Sequence, residues 1–120
     1  MFSIVGDGGA LMTGSELATA VAQKAKIRVI VANNNHYGTI RYHQEVHFPT
    51  RDHYATNLVN PDFAKYGESF GLKCFTIYNT EEILPTIKSA MEVDGPSLIE
   101  FKMSLELNTS TTTISQLQTN

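Results

Sequence analysis

Little in this chain suits a secreted, membrane-spanning or nucleic-acid-binding protein. It has one cysteine, Cys74, so no internal disulfide can form. That composition fits the reducing cytoplasm, where we expect the protein to reside. No apolar run reaches the roughly 18 residues of a membrane span. Basic residues are in the minority: nine against 12 acidic ones, for a net charge of −3. That gives no reason to expect binding to nucleic acid or to an anionic membrane. No secretory leader is visible, because Met1 runs almost directly into the apolar Phe2 to Val5. A strand that begins so abruptly leads us to expect that an N-terminal part of the domain is absent. At 120 residues there is room for one domain at most. No internal repeat is present.

What is there is an alternation of short apolar runs and amphipathic stretches. Phe2 to Val5 reads as a buried strand that stops at Gly6. Thr13-Gly14-Ser15-Glu16 has the form of a capping box. After it, Leu17, Ala18, Val21, Ala22 and Ala25 recur at helical spacing. Lys24 and Lys26 suit the negative end of that helix and, with Arg28, read as a solubility cluster. Ile27 to Ala32 holds four β-branched residues and reads as a second strand, buried apart from Arg28. Residues 33–57 are polar, aromatic and irregular and hold all four histidines, which predicts a long loop that is functional or mobile. Asn60-Pro61 predicts a helix start, with Phe63, Ala64, Gly67 and Phe70 inward and Gly71 at the end. Leu72 to Tyr78 is a third strand. Thr80-Glu81-Glu82 opens a third helix, its first turn distorted by Pro85, and Gly95-Pro96 breaks it. Ser97 to Met103 is a fourth strand. The tail from Leu105 is rich in Thr and Ser: either disordered, or a short helix around Ile114 to Gln118 that docks elsewhere. We therefore expect a domain over 1–104 and a polar tail over 105–120.

Strands alternating with helices predict an α/β fold, a parallel sheet with helices on both faces. Right-handed crossovers put the C-terminal ends of all strands on one edge, where ligands bind open α/β sheets. Gly6-Asp7-Gly8-Gly9 follows the first strand and Asn33-Asn34 the second, with Asn34 27 positions after Asp7. A carboxylate and a carboxamide on one edge can supply two oxygens to magnesium, with a backbone carbonyl just beyond Asn34 as a third. Gly6, Gly8 and Gly9 let backbone amides approach an anion, and the helix that follows adds its positive end. Gly38-Thr39 can close the far side of a phosphate. An isolated Gly-Asp-Gly is usually just a tight turn. The joint order of strand, Gly-Asp-Gly-Gly, helix, strand, Asn-Asn and Tyr-Gly points instead to a magnesium diphosphate.

These residues, with Tyr37-Gly38-Thr39-Ile40-Arg41, resemble the signature of thiamine diphosphate enzymes. They look most like the acetolactate synthase, pyruvate oxidase and benzoylformate decarboxylase group. Glu16 to Ala20, Leu58 to Ala64 and Gly95 to Glu100 also resemble that group's C-terminal, diphosphate-binding domain, so the likeness covers nearly the whole chain. The resemblance implies thiamine diphosphate and Mg2+ as cofactors. It implies Asp7, the Asn34 side chain and the His36 carbonyl as metal ligands. It implies a cofactor-binding set of Gly6, Asp7, Gly8, Gly9, Ala10, Asn34, His36, Tyr37, Gly38, Thr39 and Ile40. The substrate would be a 2-keto acid, decarboxylated or ligated on the thiazolium ring as electron sink. Such enzymes are oligomers in which a pyrimidine-binding domain, of the same or another chain, contributes a glutamate to activate the cofactor. They also use a bulky apolar residue, upstream of Gly-Asp-Gly, to bend it. Neither has a counterpart here, since Glu16 reads as a helix cap and Glu45 as a loop residue. The isolated chain is therefore expected to be inactive.

Other readings compete. A non-catalytic or split subunit would bind magnesium diphosphate only. A dinucleotide-binding domain needs Gly or Ala where Leu11 stands, and an acid at the end of the second strand where Asn33 stands. His43 and His47, with His36 and His53 near, have the spacing for zinc but more often face solvent or line a polar loop. Arg41, Tyr42 and Gln44 can face a substrate carboxylate or simply cover an interface. Cys74 reads as inert packing.

Overall fold

The computed structural model describes residues 1–106 and 112–118. Four parallel strands, β1 (Phe2–Gly6), β2 (Arg28–Asn33), β3 (Lys73–Ile77) and β4 (Ser97–Lys102), form one sheet in the order β1-β2-β4-β3. The helices are α1 (Asp7–Thr13), α2 (Leu17–Ala22), α3 (Gly38–His47), α4 (Phe63–Ser69), α5 (Ile83–Met91) and α6 (Ile114–Gln118).

The crossover rule accounts for the layering. From β1 to β2, and from β2 to β3, the chain steps one way across the sheet. From β3 to β4 it steps back. A right-handed connection then puts α5 on the opposite face from α1, α2 and α4. Two apolar clusters record this. Ala10, Leu17, Val31, Phe63, Leu72 and Leu98 pack on one face; Ile77, Ala90 and Ile99 pack on the other. Consecutive residues of β4 serve alternate faces: Leu98 one, Ile99 the other. Burying a Leu or Phe of this kind contributes about 1.5–3 kcal/mol.

Local signals set the helix ends. Gly71 has φ of +93°, and its N–H bonds Glu68 O at 2.9 Å while Leu72 N–H bonds Gly67 O at 3.2 Å. That is a Schellman end to α4. Asn79 and Glu82 form a capping box on the 3-10 turn that leads into α5.

Several expectations need correction. Thr13–Glu16 is no capping box: the helix already starts at Asp7, and Thr13 Oγ1 bonds back to Gly9 O at 3.4 Å. Glu16 instead accepts from the Thr19 hydroxyl at 3.4 Å. Residues 33–57 are not irregular throughout, because Gly38–His47 is helical. The α4 cap is Asp62, which accepts from Lys65 N–H at 3.0 Å, rather than Asn60. Arg28 is 5% exposed and belongs to no solubility cluster. The short final helix is present at Ile114–Gln118 and docks on α3, with Ile114 buried. No helix among the described residues is long and apolar enough to cross a membrane.

Candidate functional site

Gly6 of β1 lies opposite Ala32 of the parallel β2. The next residues, Asp7 and Asn33-Asn34, therefore leave the sheet side by side on its C-terminal rim. Asp7 is 2% exposed and opens α1. Its Oδ1 accepts from Gly8 N–H at 3.0 Å, and its Oδ2 accepts from Asn60 Nδ2 at 2.7 Å. Asn33 Oδ1 accepts from the same Asn60 Nδ2 at 2.8 Å and from Asn35 N–H at 3.1 Å.

The chain then turns sharply. Asn35 has φ of +57°, a left-handed conformation that Asn tolerates better than most residues. Asn34 Oδ1 accepts from His36 N–H at 3.2 Å. His36 Nδ1 lies 3.0 Å from Asn34 O, and its Nε2 faces Arg41 Nη1. A guanidinium only donates, so Nε2 accepts and Nδ1 carries the proton that goes to Asn34 O. Arg41 Nε also sits 3.5 Å from Glu45 Oε1, with His53 Nδ1 at 3.9 Å from that oxygen. The far side of the loop is strapped down by Tyr37 N–H to Thr56 O and Leu58 N–H to Asn35 O, both 2.8 Å.

Gly6, Asp7, Gly8, Gly9, His36, Tyr37, Gly38, Thr39 and Ile40 line one cleft of about 270 Å³. Two glycines shape it. A Cβ on Gly8 would meet the Tyr37 ring at 2.5 and 2.8 Å, and one on Gly9 would meet Val5 Cγ2 at 2.8 Å. The N-termini of α1 and α3 both open into the cleft, and neither N-cap residue, Gly6 or Tyr37, makes a side-chain cap. At α1 the Gly8 N–H is already bonded to Asp7 Oδ1; the other amides of the two helix ends make a cradle for an anion. Ala10 sends its side chain into the core, so only its backbone can serve the site.

The rim has more acceptors than donors. Asn60 Nδ2 is within 2.7, 2.8 and 3.1 Å of oxygens on Asp7, Asn33 and Asn35, but it has only two protons. Asn60 Oδ1 and Glu100 Oε2 are buried without a partner among the described residues. All these donor atoms are hard oxygens, as are those of Asn34, so the residues fit a magnesium-like cation.

The sequence missed Asn60, Asn33, Asn35 and Glu100. Asn60 resembled a helix cap; the better cap at Asp62 was the signal that it was free for other work. The other polar candidates are engaged elsewhere. Gln44 makes two bonds to the Tyr54 backbone, at 2.8 and 3.0 Å, rather than facing a substrate. His43 and His47 stack on the exposed side of α3, ring centroids 5.9 Å apart. Among the described residues, no group of three or more His, Cys, Asp or Glu could hold a metal, so the zinc reading has no support there.

Fold and rim together define an α/β domain with a glycine-rich cleft beside hard oxygens at adjacent strand tips. Residues 1–101 match the family described as thiamine pyrophosphate enzyme, C-terminal TPP binding domain, and the chain belongs to that family. It is 35% identical over 111 residues to the 3D-(3,5/4)-trihydroxycyclohexane-1,2-dione hydrolase of Bacillus subtilis, covering 86% of this chain and 17% of that protein. It is 30% identical over 102 residues to the acetolactate synthase large subunit of Porphyra purpurea, covering 84% and 17%. Among solved structures, the thiamine diphosphate-dependent 4-hydroxybenzoylformate decarboxylase of Rhodococcus jostii RHA1 superposes with a TM-score of 0.79 at 26% identity, covering 86% and 19%. The chain thus spans less than a fifth of the length of these relatives.

Proposed function

We propose that this chain is the diphosphate- and magnesium-binding part of a thiamine diphosphate enzyme acting on 2-keto acids. The observation that carries the reading is one cleft lined by Gly6–Gly9, with Asp7 among them, and by His36–Ile40 just after Asn34, with the N-termini of α1 and α3 open to it. Asp7, the Asn34 side chain and the His36 carbonyl would hold magnesium. Backbone amides at Gly8–Ala10 and Gly38–Ile40 would hold the diphosphate. When bound, thiamine diphosphate supplies an electron sink for decarboxylation or carboligation. The residues here orient the cofactor by its phosphate end: Gly8 admits the Tyr37 ring, and Arg41 holds His36 in place. No residue of the chain is assigned to activation of the pyrimidine ring. We assign that to a partner domain in an oligomer, and the chain by itself is inactive.

Calorimetric titration of thiamine diphosphate, with and without Mg2+, tests the binding reading. Binding that needs Mg2+ and is lost in Asp7→Ala is expected; equal binding by both proteins would refute it. Pyruvate turnover by the pure chain would refute the claim of inactivity.

A further inference from the structure

We propose that Asn60 is a positioning residue for the Asp7 site: its carboxamide draws the tips of β1 and β2 together and couples occupation of that site to the segment leading into α4. This deepens the function proposed above and rests on it. Asn60 lies on neither strand. It comes 53 positions after Asp7 and 27 after Asn33. The backbone around it is fixed on both sides: Leu58 N–H is bonded to Asn35 O, and Asp62 caps α4. Its side chain is therefore delivered to the rim from a third direction.

There it meets the three oxygens already described. Its two amide protons are shared among three acceptors, of which Asn33 Oδ1 has a second donor in the Asn35 N–H and Asn35 is exposed, while Asp7 Oδ2 is given Asn60 as its donor. A cation at Asp7 would compete for that oxygen and redistribute the bonds of Asn60. Behind Asn33 the orientation is locked. Asn33 Nδ2 donates to Glu100 Oε1 at 2.6 Å, and Lys102 Nζ donates to the same oxygen at 2.6 Å. That leaves Asn33 Oδ1, and only Oδ1, facing Asn60. A continuous polar chain thus runs Lys102–Glu100–Asn33–Asn60–Asp7. Hydrogen-bond partners that orient a metal ligand typically change metal affinity 10–100-fold when removed.

The test uses the 120-residue chain, 15N-labelled. The side-chain amide pair of Asn60 is assigned by its absence from the spectrum of Asn60→Leu, a change that keeps the γ-branched shape and removes the bonds. In metal-free protein, Asp7→Ala should shift that pair; an unmoved pair overturns the proposal. In wild type, Mg2+ with thiamine diphosphate should shift it too. Free Mn2+, counted by its EPR signal in the presence of thiamine diphosphate, should give an affinity about tenfold weaker in Asn60→Leu at unchanged circular dichroism. Unchanged affinity overturns the positioning role. Should Asn60→Leu fail to fold, Asn60→Ser keeps one donor and should bind Mn2+ with intermediate strength; wild-type affinity there overturns the role equally. A wild type that binds no Mn2+ at all sinks the cation site and the positioning role together. An Asn60 signal that still answers to Asp7→Ala then marks the cation reading, and not the contact, as the error.

Discussion

β2 carries a buried polar side chain at each end, and the two ends are built on opposite principles. At its start, Arg28 donates from its two terminal nitrogens to Ile27 O, Gly95 O, Met91 O and Val93 O, at 2.6 to 3.2 Å. Three of these carbonyls lie at or beyond the C-terminus of α5, where positive charge is favoured. Both terminal nitrogens are matched by carbonyls, while Nε is buried without a partner among the described residues, and the charge of the guanidinium is answered by the helix end. At the end of β2, Asn33 sits in a group of oxygens served by one shared carboxamide. The first arrangement ties the start of β2 to the end of α5 and closes the fold. The second shares one carboxamide among three oxygens, an arrangement that the proposed cation would redistribute.

The difference can be broken at the Arg28 end first. Arg28→Met strips the four bonds and leaves buried carbonyls unsatisfied. Urea unfolding should register a loss of about 3 kcal/mol or more, and a loss below about 1 kcal/mol would contradict the account. Gly8→Ala is expected to cost about 1–3 kcal/mol, because the new methyl must move the Tyr37 ring; thiamine diphosphate affinity should fall with it. Asp7→Asn acts on the acceptor-rich end. It should leave stability within about 1 kcal/mol of wild type, while abolishing Mg2+-dependent binding. A loss as large as that of Arg28→Met would erase the distinction.

The smallest effect is a pH response on the outer side of α3. Glu106 accepts from the Ser115 hydroxyl at 2.7 Å and from its N–H at 3.2 Å. These bonds hold the Glu106 carboxyl below the ordinary glutamate range, with Arg41 adding a smaller pull. A carboxyl lowered by folding stabilises the fold fully above the unfolded value, about 4.3, and the benefit fades as pH falls through the folded value. The Ile114 methyl signals should therefore leave their docked positions only in that acidic window. Undocking near neutrality would show that another group anchors α6.

Much of the fold was legible because strand runs, glycine ends and crossover handedness are local or topological facts. β-branched residues marked β2, and Gly71 marked the end of α4. The rim position of Asp7 and Asn34 followed from chain direction alone. What was not legible depended on distant partners. The α3 helix hid in a polar, histidine-rich stretch whose inward residue is the charged Glu45, held beside Arg41 and His53. Arg28 looked solvent-facing until the carbonyls 63 to 67 positions away were in place. Asn60 had a plausible local task, and only the fold gave it a different one.

Cys74 lies against Gly67, where an added Cβ would come within 2.6 Å of its sulfur. Burial, and then the nearby Glu68, push its thiol up to about 11. At pH 7 roughly one molecule in 10⁴ then carries the thiolate, the form that alkylating reagents attack. Opening the seam between β3 and α4 returns the group to an ordinary thiol, on the order of 100-fold more ionised. The native chain thus carries its own stopwatch: pulsed alkylation, followed by mass, can time the exposure of this seam without adding a probe.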